Sequence, residues 1–306
     1  MRIALLLLVF SLGACGAHVA EGGDDVPDNH DGDGGLPVDD GDGGAAVGCP
    51  DVDLLFVIDD SGSMADQQES LIASFPGFVA GIRDRLRSAQ SVHIGVVTTE
   101  DYQPNPAACR TIGSLITQTG GPASSGQVCG PFAGQTWMDG DAFDLDSKFA
   151  CAGKVGAGGD SDERVARAVM NALEPARNAP GACNAGFSRP DSLLVIVIIT
   201  DEDDVADGCD GSGTCMTYGS GGTSAEWYAT VVAHRGGHAQ NIVVLSLIGR
   251  ALSNPCGAIP ASRLLGFTNR FANRVIGDVC AGSYAPFFLE ALPVIDNACR
   301  NYEPIL

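Results

Sequence analysis

The sequence is poor in basic residues. It contains 17 Lys and Arg against 38 Asp and Glu, and its formal net charge at pH 7 is −21. A chain this acidic repels the phosphates of nucleic acids and of anionic lipids, which excludes nucleic-acid binding and electrostatic attachment to a membrane surface. Any attachment to a membrane is therefore expected to be covalent.

Several motifs of enzymes and thiolate metal sites are also missing. There is no C-x-x-C pair, no G-x-x-x-x-G-K phosphate loop and no G-x-S-x-G nucleophile elbow. His234 and His238 are four residues apart, but Gly236 and Gly237 disfavour a helix there and no Glu follows His234, so a zinc site of the zincin type is not expected. We predict that the protein is not an enzyme.

The apolar run at the N-terminus, Ile3–Phe10, is too short to span a bilayer. It follows Arg2 and precedes small residues, as in a signal peptide, which we assign to residues 1–14. Leu12-Gly13-Ala14-Cys15 resembles a bacterial lipobox, in which the cysteine is lipidated; the alternative is an ordinary cleaved signal peptide with Cys15 incidental. Both interpretations predict export, and Gly16 after the lipid-bearing cysteine favours the outer membrane or cell surface over the inner membrane.

Residues 15–48 are predicted to form a disordered acidic tether. Gly16–Gly48 has nine acidic residues, no Lys or Arg, and many Gly, so it cannot bury enough apolar surface to offset its chain entropy. The ligand and glycine spacing of an EF-hand calcium loop is matched within it by Asn29, Asp31, Asp33, Gly34 and Asp40. Because no helical pattern flanks that loop, a solvated linker is favoured over a calcium site.

Residues 49–306 begin with the stretch that carries the main chemical signal, DLLFVIDDSGSM. Leu54–Ile58 has the length and the β-branched content of a strand buried on both faces, as in a parallel sheet covered by helices. A second run of this kind, SLLVIVIITDEDD, ends at Thr200 and Asp201. Parallel strands end at one rim of a sheet, where binding sites of α/β folds collect.

Four oxygen-bearing residues follow these two runs, namely Asp59, Ser61, Ser63 and Asp201. Asp59, Ser61 and Ser63 stand at alternate positions, so that a carboxylate and two hydroxyls can point at one place. A hard cation such as Mg²⁺ prefers oxygen ligands of this kind. The sequence therefore predicts a metal site at the rim.

The D-x-S-x-S loop and the later Asp together resemble the metal-ion-dependent adhesion site of the von Willebrand factor A family. The resemblance covers about residues 50–300 and implies an α/β fold with a mostly parallel sheet flanked by helices on both faces, which the strand–helix alternation also favours. It implies Asp59, Ser61 and Ser63 as ligands of Mg²⁺ (or Mn²⁺ or Ca²⁺), and Asp201 as a direct or water-mediated ligand. In this family a protein partner commonly supplies a carboxylate to the ion.

The family also uses a Thr ahead of a middle helix, and this sequence has no Thr there. The helical pattern runs over Ser161–Ala176, with Asp160 or Ser161 as N-cap. Of the residues that could take the place of the Thr, Ala157 and Gly159 have no side-chain oxygen, whereas Asp160 and Ser161 do. Direct binding by Asp160 would favour Ca²⁺ over Mg²⁺, and if neither residue reaches the ion, water fills the gap and affinity falls.

The remaining segments have the patterns of further helices and strands. Helices are predicted over 65–87 (bent or restarted at Pro76), 223–234, 263–275 and 285–299, and strands over 92–98 and 242–248. Residues 100–159, rich in Gly, Pro and Cys, are predicted to be an irregular, disulfide-stapled insertion at the rim. The acidic loop of residues 202–210 is interpreted either as a solvated loop or as one that shapes and charges the site.

Ten cysteines follow Cys15, and an even number in an exported protein predicts disulfides. They are Cys49, Cys109, Cys129, Cys151, Cys183, Cys209, Cys215, Cys256, Cys280 and Cys299. Cys209 and Cys215 are expected to close a small loop. Because the two ends of a von Willebrand factor A domain lie close together, the resemblance implies a Cys49–Cys299 bridge, which would restrain the family's sliding terminal helix and favour a constitutive binder.

The predicted function is metal-dependent binding of a protein ligand by a lipid-anchored domain at the bacterial envelope. One alternative is a structural envelope protein whose metal site only rigidifies the rim. Another is a phosphotransferase-like enzyme with Asp59 as the nucleophile. It is disfavoured because haloacid-dehalogenase-like enzymes need a second Asp two positions on, where this chain has Ser61.

Overall fold

The structure, a computed structural model, describes residues 48–206, 208–209, 215–216 and 218–305, with the backbone alone at 208–209 and 215–216. The predicted signal peptide, Cys15 and the tether up to residue 47 lie outside the described residues, as do the side chains of Cys209 and Cys215. No helix in the described part of the chain is long and apolar enough to cross a membrane.

The secondary structure alternates between strands and helices. The strands are β1 Asp51–Ile58, β2 Ser91–Thr98, β3 Met138–Asp139, β4 Leu193–Ile199, β5 Gly208–Cys209, β6 Cys215–Met216, β7 Ile242–Ile248 and β8 Asn273–Asp278. The helices are α1 Ala65–Arg85, α2 Leu145–Gly153, α3 Val165–Leu173, α4 Pro175–Asn178, α5 Ser224–Ala233, α6 Ser262–Thr268 and α7 Ala285–Arg300.

Six of the strands form one sheet in the order β3-β2-β1-β4-β7-β8. Five are parallel, and the short β3 pairs antiparallel to β2 at one edge. The central strands β1 and β4 are buried along nearly their whole length, as apolar runs of this length predict. The predicted α/β fold with a mostly parallel sheet is confirmed.

Helices cover both faces of the sheet. Along β1, Leu54 and Phe56 pack into a core with α1, α2 and α7, whereas Leu55 and Val57 pack into a second core with α3, α5 and α6. The side chains of a strand point to alternate faces, so one apolar run supplies both cores. The two cores clamp the sheet and hold the rim beyond β1 and β4 in place.

Two predicted elements differ in the structure. Helix α1 passes through Pro76 without ending, because Phe75 and Phe78 on either side are buried in the core and outweigh the lost hydrogen bond. The predicted helix over 263–275 is wrong in its second half, since α6 ends at Thr268 and β8 begins at Asn273. Pairing with β7 makes residues 273–278 a strand. The mixed polar and apolar pattern of this segment indicates neither a helix nor a strand clearly.

Four disulfides tie the described chain together. They join Cys49 to Cys299, Cys109 to Cys183, Cys129 to Cys151 and Cys256 to Cys280. The predicted Cys49–Cys299 bridge is present and links the start of the domain to α7. The insertion of residues 100–159 has little regular structure beyond β3 and α2, and two of the bridges staple it. Disulfides indicate folding in an oxidising, exported environment.

Candidate metal centre at the sheet rim

The candidate site lies where β1 and β4 end, at the centre of the sheet. These strands pair in parallel with Ile58 opposite Ile199, so Asp59 and Thr200 follow side by side. The backbone N of Asp59 donates to the carbonyl of Ile199 over 3.0 Å, and Thr200 Oγ1 donates to Asp59 Oδ2 over 2.7 Å. The two loops that the sequence places at one rim are therefore in direct contact.

Asp59 is fully buried and held from two sides. Its Oδ1 accepts a hydrogen bond from the backbone N of Ser61 over 2.7 Å, while Oδ2 accepts from Thr200. Burial raises the pKa of Asp59 above its ordinary value, and the neighbouring Asp201 carboxylate adds to this, against the lowering effect of both hydrogen bonds. The donors orient the carboxylate without neutralising its charge.

Ser61, Ser63 and Asp201 continue the same row of oxygens. Ser61 Oγ lies 3.4 Å from Ser63 Oγ, and the Ser63 hydroxyl lies beside the Asp201 carboxylate. Asp201 is 3% exposed, and its Oδ1 has no hydrogen-bond partner among the described residues. Ser63 is exposed, so the row reaches solvent at this residue, between the buried Asp59 and Asp201.

Gln68 on α1 fastens the D-x-S-x-S loop to the loop that precedes α3. Its Nε2 donates to the carbonyls of Asp59 (3.0 Å) and Gly156 (2.6 Å), and its Oε1 accepts from the backbone N of Gly156 (3.0 Å). Gly159 passes so close that a Cβ there would lie 2.9 Å from the carbonyl oxygen of Asp60. The loops around the site are thus preorganised.

No hydrogen bond in the described structure joins the side chain of Asp160 or Ser161 to Asp59, Ser61, Ser63 or Asp201. Both residues are exposed; Asp160 N donates to Glu100 Oε2 (3.1 Å), and Ser161 N donates to Asp160 Oδ1 (2.7 Å). The prediction that one of them caps the following helix is wrong. Helix α3 begins at Val165, and Asp204 from a distant loop accepts from the backbone N of Ala166 over 2.8 Å.

Glu163, just ahead of α3, is an acidic residue that lies against the buried end of the row at Asp59. It is 2% exposed, and its carboxyl group lies beside the Asp59 carboxylate and the Thr99 hydroxyl. Burial, followed by repulsion from Asp59, raises the pKa of Glu163 to about 11. Without a bound cation, burial and the neighbouring Asp59 therefore favour the protonated form of Glu163 at neutral pH.

Sequence reasoning missed Glu163, Thr99 and Thr200. A Glu just ahead of an amphipathic helix is an ordinary feature of helix N-termini, where acidic residues are favoured electrostatically. Thr is equally ordinary at the end of a strand. The only signal in the sequence was position, since Glu163 precedes the middle helix from which the resemblance implies a ligand.

The donors present fit a hard cation. Oxygen atoms without a partner in the described structure include Asp201 Oδ1, Glu163 Oε2 and Thr99 Oγ1, all of them buried. No basic side chain among the described residues stabilises Asp59, Glu163 or Asp201. A buried carboxylate with neither a cation nor a donor is unfavourable, so a bound ion would relieve it.

The types of oxygen donor at the candidate site limit which metal ion it can bind. Among the described residues, no three His, Cys, Asp or Glu side chains converge to bind a metal by themselves, so the serine hydroxyls would have to take part. A hydroxyl and carboxylate set suits Mg²⁺, Mn²⁺ or Ca²⁺ and does not suit a metal that prefers thiolate or imidazole. His238, of the rejected zinc pair, instead lies 3.0 Å from Glu303 Oε2.

The chain was compared with known proteins by sequence and by structure. Neither a protein-family model nor a curated protein matches this chain. Similar solved structures include proximal thread matrix protein 1 from the mussel byssus (13% identity, TM-score 0.42), a von Willebrand factor type A protein from Catenulispora acidiphila (14%, 0.38) and the pilus adhesin SpaC from Lactobacillus rhamnosus GG in its open conformation (12%, 0.42).

The alignments cover 82%, 81% and 82% of this chain, but 49%, 42% and 30% of the respective neighbours. The chain therefore spans less than half the length of each of these proteins. Similarity at this level concerns the fold alone.

A cleft adjoins the exposed end of the oxygen row. Its volume is about 450 Å³, and it lies between Ser63 and Gln67 on one side and the Cys256–Cys280 disulfide and Tyr284 on the other. Gln67 is 5% exposed, and its Oε1 has no hydrogen-bond partner in the described structure. The cleft leaves room for a ligand that approaches the row from solvent.

The acidic loop after β4 shapes the rim. Asp203 accepts from the backbone N of Arg263 (3.0 Å) and of Leu264 (3.1 Å), and so caps α6. Asp204 is fully buried, caps α3 and accepts from the backbone N of Ser220 over 2.7 Å. Of the two interpretations of this loop, shaping the site is favoured for these two residues; Asp207 and Asp210 lie outside the described residues.

Proposed function

We propose that this domain binds a protein ligand through a divalent cation held at the rim of the sheet. The observation that carries the proposal is the row of oxygens from Asp59 to Asp201, which is buried at both of these residues, open to solvent at Ser63 and without a basic partner among the described residues. The hydroxyls of Ser61 and Ser63 and the carboxylates of Asp59 and Asp201 would hold the ion, and Glu163 would lose its proton and contribute charge.

When bound, the ion supplies a coordination position for an oxygen from outside. This chain positions that oxygen: the exposed Ser63 places the open side at the cleft, and the Gln68 clamp keeps the loops from shifting. A carboxylate of the ligand is the oxygen we expect, because an Mg²⁺ ion is only partly neutralised by hydroxyls and few carboxylates. Binding is proposed to be constitutive, since the Cys49–Cys299 bridge restrains α7.

A second function is favoured by Glu163. Its carboxylate would add a negative charge within the site, so that the ion attracts an external carboxylate less strongly. The ion would then only rigidify the rim, and recognition would fall to the loops of the insertion. We rank this structural role second, because the adjoining cleft leaves the solvent side of the row open.

The test is a calorimetric titration of Mg²⁺, Mn²⁺ and Ca²⁺ into the full-length protein with its disulfides intact, beside Asp59→Asn, Asp201→Asn and the exposed control Asp146→Asn. The proposal predicts saturable binding that the first two variants weaken and the control leaves unchanged. Absence of binding by the wild-type protein would overturn both functions.

The two functions are separated by a small carboxylate probe. N-acetyl-aspartate N-methylamide should bind when Mg²⁺ is present and not when it is chelated, and the asparagine analogue should not bind in either condition. Metal binding without binding of the carboxylate probe would contradict ligand recognition and support the structural role.

Lipid anchoring through Cys15 is part of the proposal. The described disulfides indicate export, and the lipobox-like motif would attach the acidic tether to the envelope, in the outer membrane or at the cell surface. Metabolic labelling with a fatty acid should mark the wild-type protein and leave Cys15→Ala unlabelled. Labelling of both proteins, or of neither, would contradict the anchor.

A further inference from the structure

A second cavity lies against Asp60, next to the metal site but separate from the cleft at Ser63. Its volume is about 210 Å³. Asp60 and Glu100 supply its acidic groups, and the walls include Tyr102, Pro104 and Pro122. No function is assigned to these residues by the D-x-S-x-S pattern, in which Asp60 stands at a variable position.

Neither acidic group of this pocket has a basic partner in the described part of the chain. Asp60 is 3% exposed, and its Oδ1 has no hydrogen-bond partner among the described residues. Its carboxyl group lies beside that of Glu100. Two basic residues lie close in sequence to Val155 and Gly158, which line the pocket. Lys154 forms an ion pair with Glu69 at 3.3 Å, and Arg164 lies 4.0 Å from Asp162.

Apart from the exposed Gln103, the walls of the pocket are apolar, and they are well supported. The hydroxyl of Tyr102 donates to the carbonyl of Val155 and accepts from the backbone N of Gly120 over 3.2 Å, so its hydrogen-bonding capacity is used inside the protein. Gly158 packs against Pro122 so closely that a Cβ there would lie 2.9 Å from Pro122 Cδ. The pocket thus combines a stiff apolar wall with two acidic groups.

The class of ligand that fits this pocket can be found by ruling out the other classes. An anion is repelled by the carboxylates, and a neutral apolar group would leave the buried Asp60 without a donor. A metal ion is far smaller than the cavity and would find only two carboxylates. What remains is a cation on an aliphatic stem, whose methylene groups cover the apolar wall while the charged end pairs with the acids.

We propose that this pocket binds the side chain of a lysine or arginine from a partner protein. The ammonium or guanidinium group donates hydrogen bonds to the carboxylates of Asp60 and Glu100. The interaction needs no metal ion, so it goes beyond the proposed function and can be tested independently of it.

The test uses NMR titrations of the full-length protein, with disulfides intact and divalent ions chelated. The probes are the Nα-acetyl N-methylamides of lysine and arginine, and the matched control ligand is that of norleucine, which has the aliphatic stem without the charge. The variants are Asp60→Asn and Glu100→Gln, with the exposed Asp146→Asn as a control for the loss of one negative charge. Gln at position 100 keeps an acceptor for Asp160 N, so this variant remains informative if the substitution at Asp60 impairs folding.

The proposal predicts that a basic probe binds, shifts the resonances of residues lining the pocket, and binds at least tenfold more weakly to each pocket variant and in high salt. Asp146→Asn should bind like wild type, and norleucine should not bind. Equal binding of norleucine, or binding of the basic probes that neither pocket variant changes, would overturn the proposal, as would the absence of binding by both basic probes.

Discussion

Replacement of Glu163 by Gln should stabilise the metal-free protein at neutral pH. Glu163 is 2% exposed, lies beside Asp59, and has an oxygen without a partner in the described structure. Gln has nearly the shape of protonated Glu, stays neutral at every pH, and can donate a hydrogen bond to Asp59 as the protonated acid does. Glu163→Gln therefore keeps the contacts that protonated Glu163 makes. It avoids the cost in free energy of protonating a carboxylate when the protein folds at neutral pH.

The magnitude follows from the pKa of the folded state. Burial and the Asp59 charge raise the pKa of Glu163 from an ordinary 4.5 to about 11. The folded state binds the Glu163 proton more tightly than the unfolded state does. The contribution of protonated Glu163 to the free energy of unfolding is therefore fully present below pH 4.5 and is lost as pH rises toward 11. At pH 7 the loss has reached about 3 kcal/mol, at 1.36 kcal/mol per pH unit, and Glu163→Gln should recover up to about that amount.

A divalent ion should make the wild-type protein more stable than Glu163→Gln, the reverse of their order in the absence of metal. In the wild type, Mg²⁺ provides a partner for ionised Glu163, so the ion should raise the free energy of unfolding and flatten its dependence on pH. Glu163→Gln lacks that charge and should gain less from Mg²⁺. The measurement is urea unfolding followed by circular dichroism at pH 5 and pH 7.5, with chelator or with Mg²⁺.

The exposed Glu69→Gln is the matched control, because it removes the same charge from the surface of α1, where no stabilisation of this kind is expected. A Glu163→Gln protein that is less stable than wild type in chelator, with an unchanged dependence on pH, would refute the reasoning. It would mean that Glu163 is ionised in the metal-free fold and is stabilised by the protein itself.

Three further predictions concern the framework of the site. Replacing Cys49 and Cys299 by Ala should lower the free energy of unfolding by roughly 5 kcal/mol, since their separation of 250 residues closes a very long loop; an unchanged denaturant midpoint would contradict this. Asp204→Ala removes the acceptor for two backbone N–H groups and should lower stability by roughly 3 kcal/mol in chemical denaturation, a loss that Asp204→Asn should partly restore. Gly159→Ala should push its loop away from Asp60 and weaken Mg²⁺ binding roughly tenfold by calorimetry, and unaltered affinity would show that the close approach is not needed.

The local patterns of the sequence account for most of the fold. Apolar runs too short for helices predicted β1 and β4, and their register brings Asp59 and Thr200 side by side, as expected for neighbouring parallel strands. The Cys49–Cys299 bridge followed from the resemblance alone. Where the pattern was mixed, as at Asn273–Asp278, prediction failed, because pairing with β7 and not local preference decides the structure of an edge segment.

The surroundings of the site depended on tertiary structure. Nothing near Glu163 in the sequence distinguishes it from Asp160, yet one is buried beside Asp59 and the other is exposed. Likewise, Asp60 and Glu100 are 40 positions apart and become a pair only when the loops after β1 and β2 fold against each other.

The sequence by itself determined the α/β fold and the row of oxygens after β1 and β4, because hydrophobic period and strand length are local properties of the chain. Only the tertiary structure decided which acidic residues are removed from water and which of them face one another. Desolvation and charge–charge repulsion depend on distances between loops that are remote in sequence, and these distances are what turn ordinary acidic residues into a candidate site.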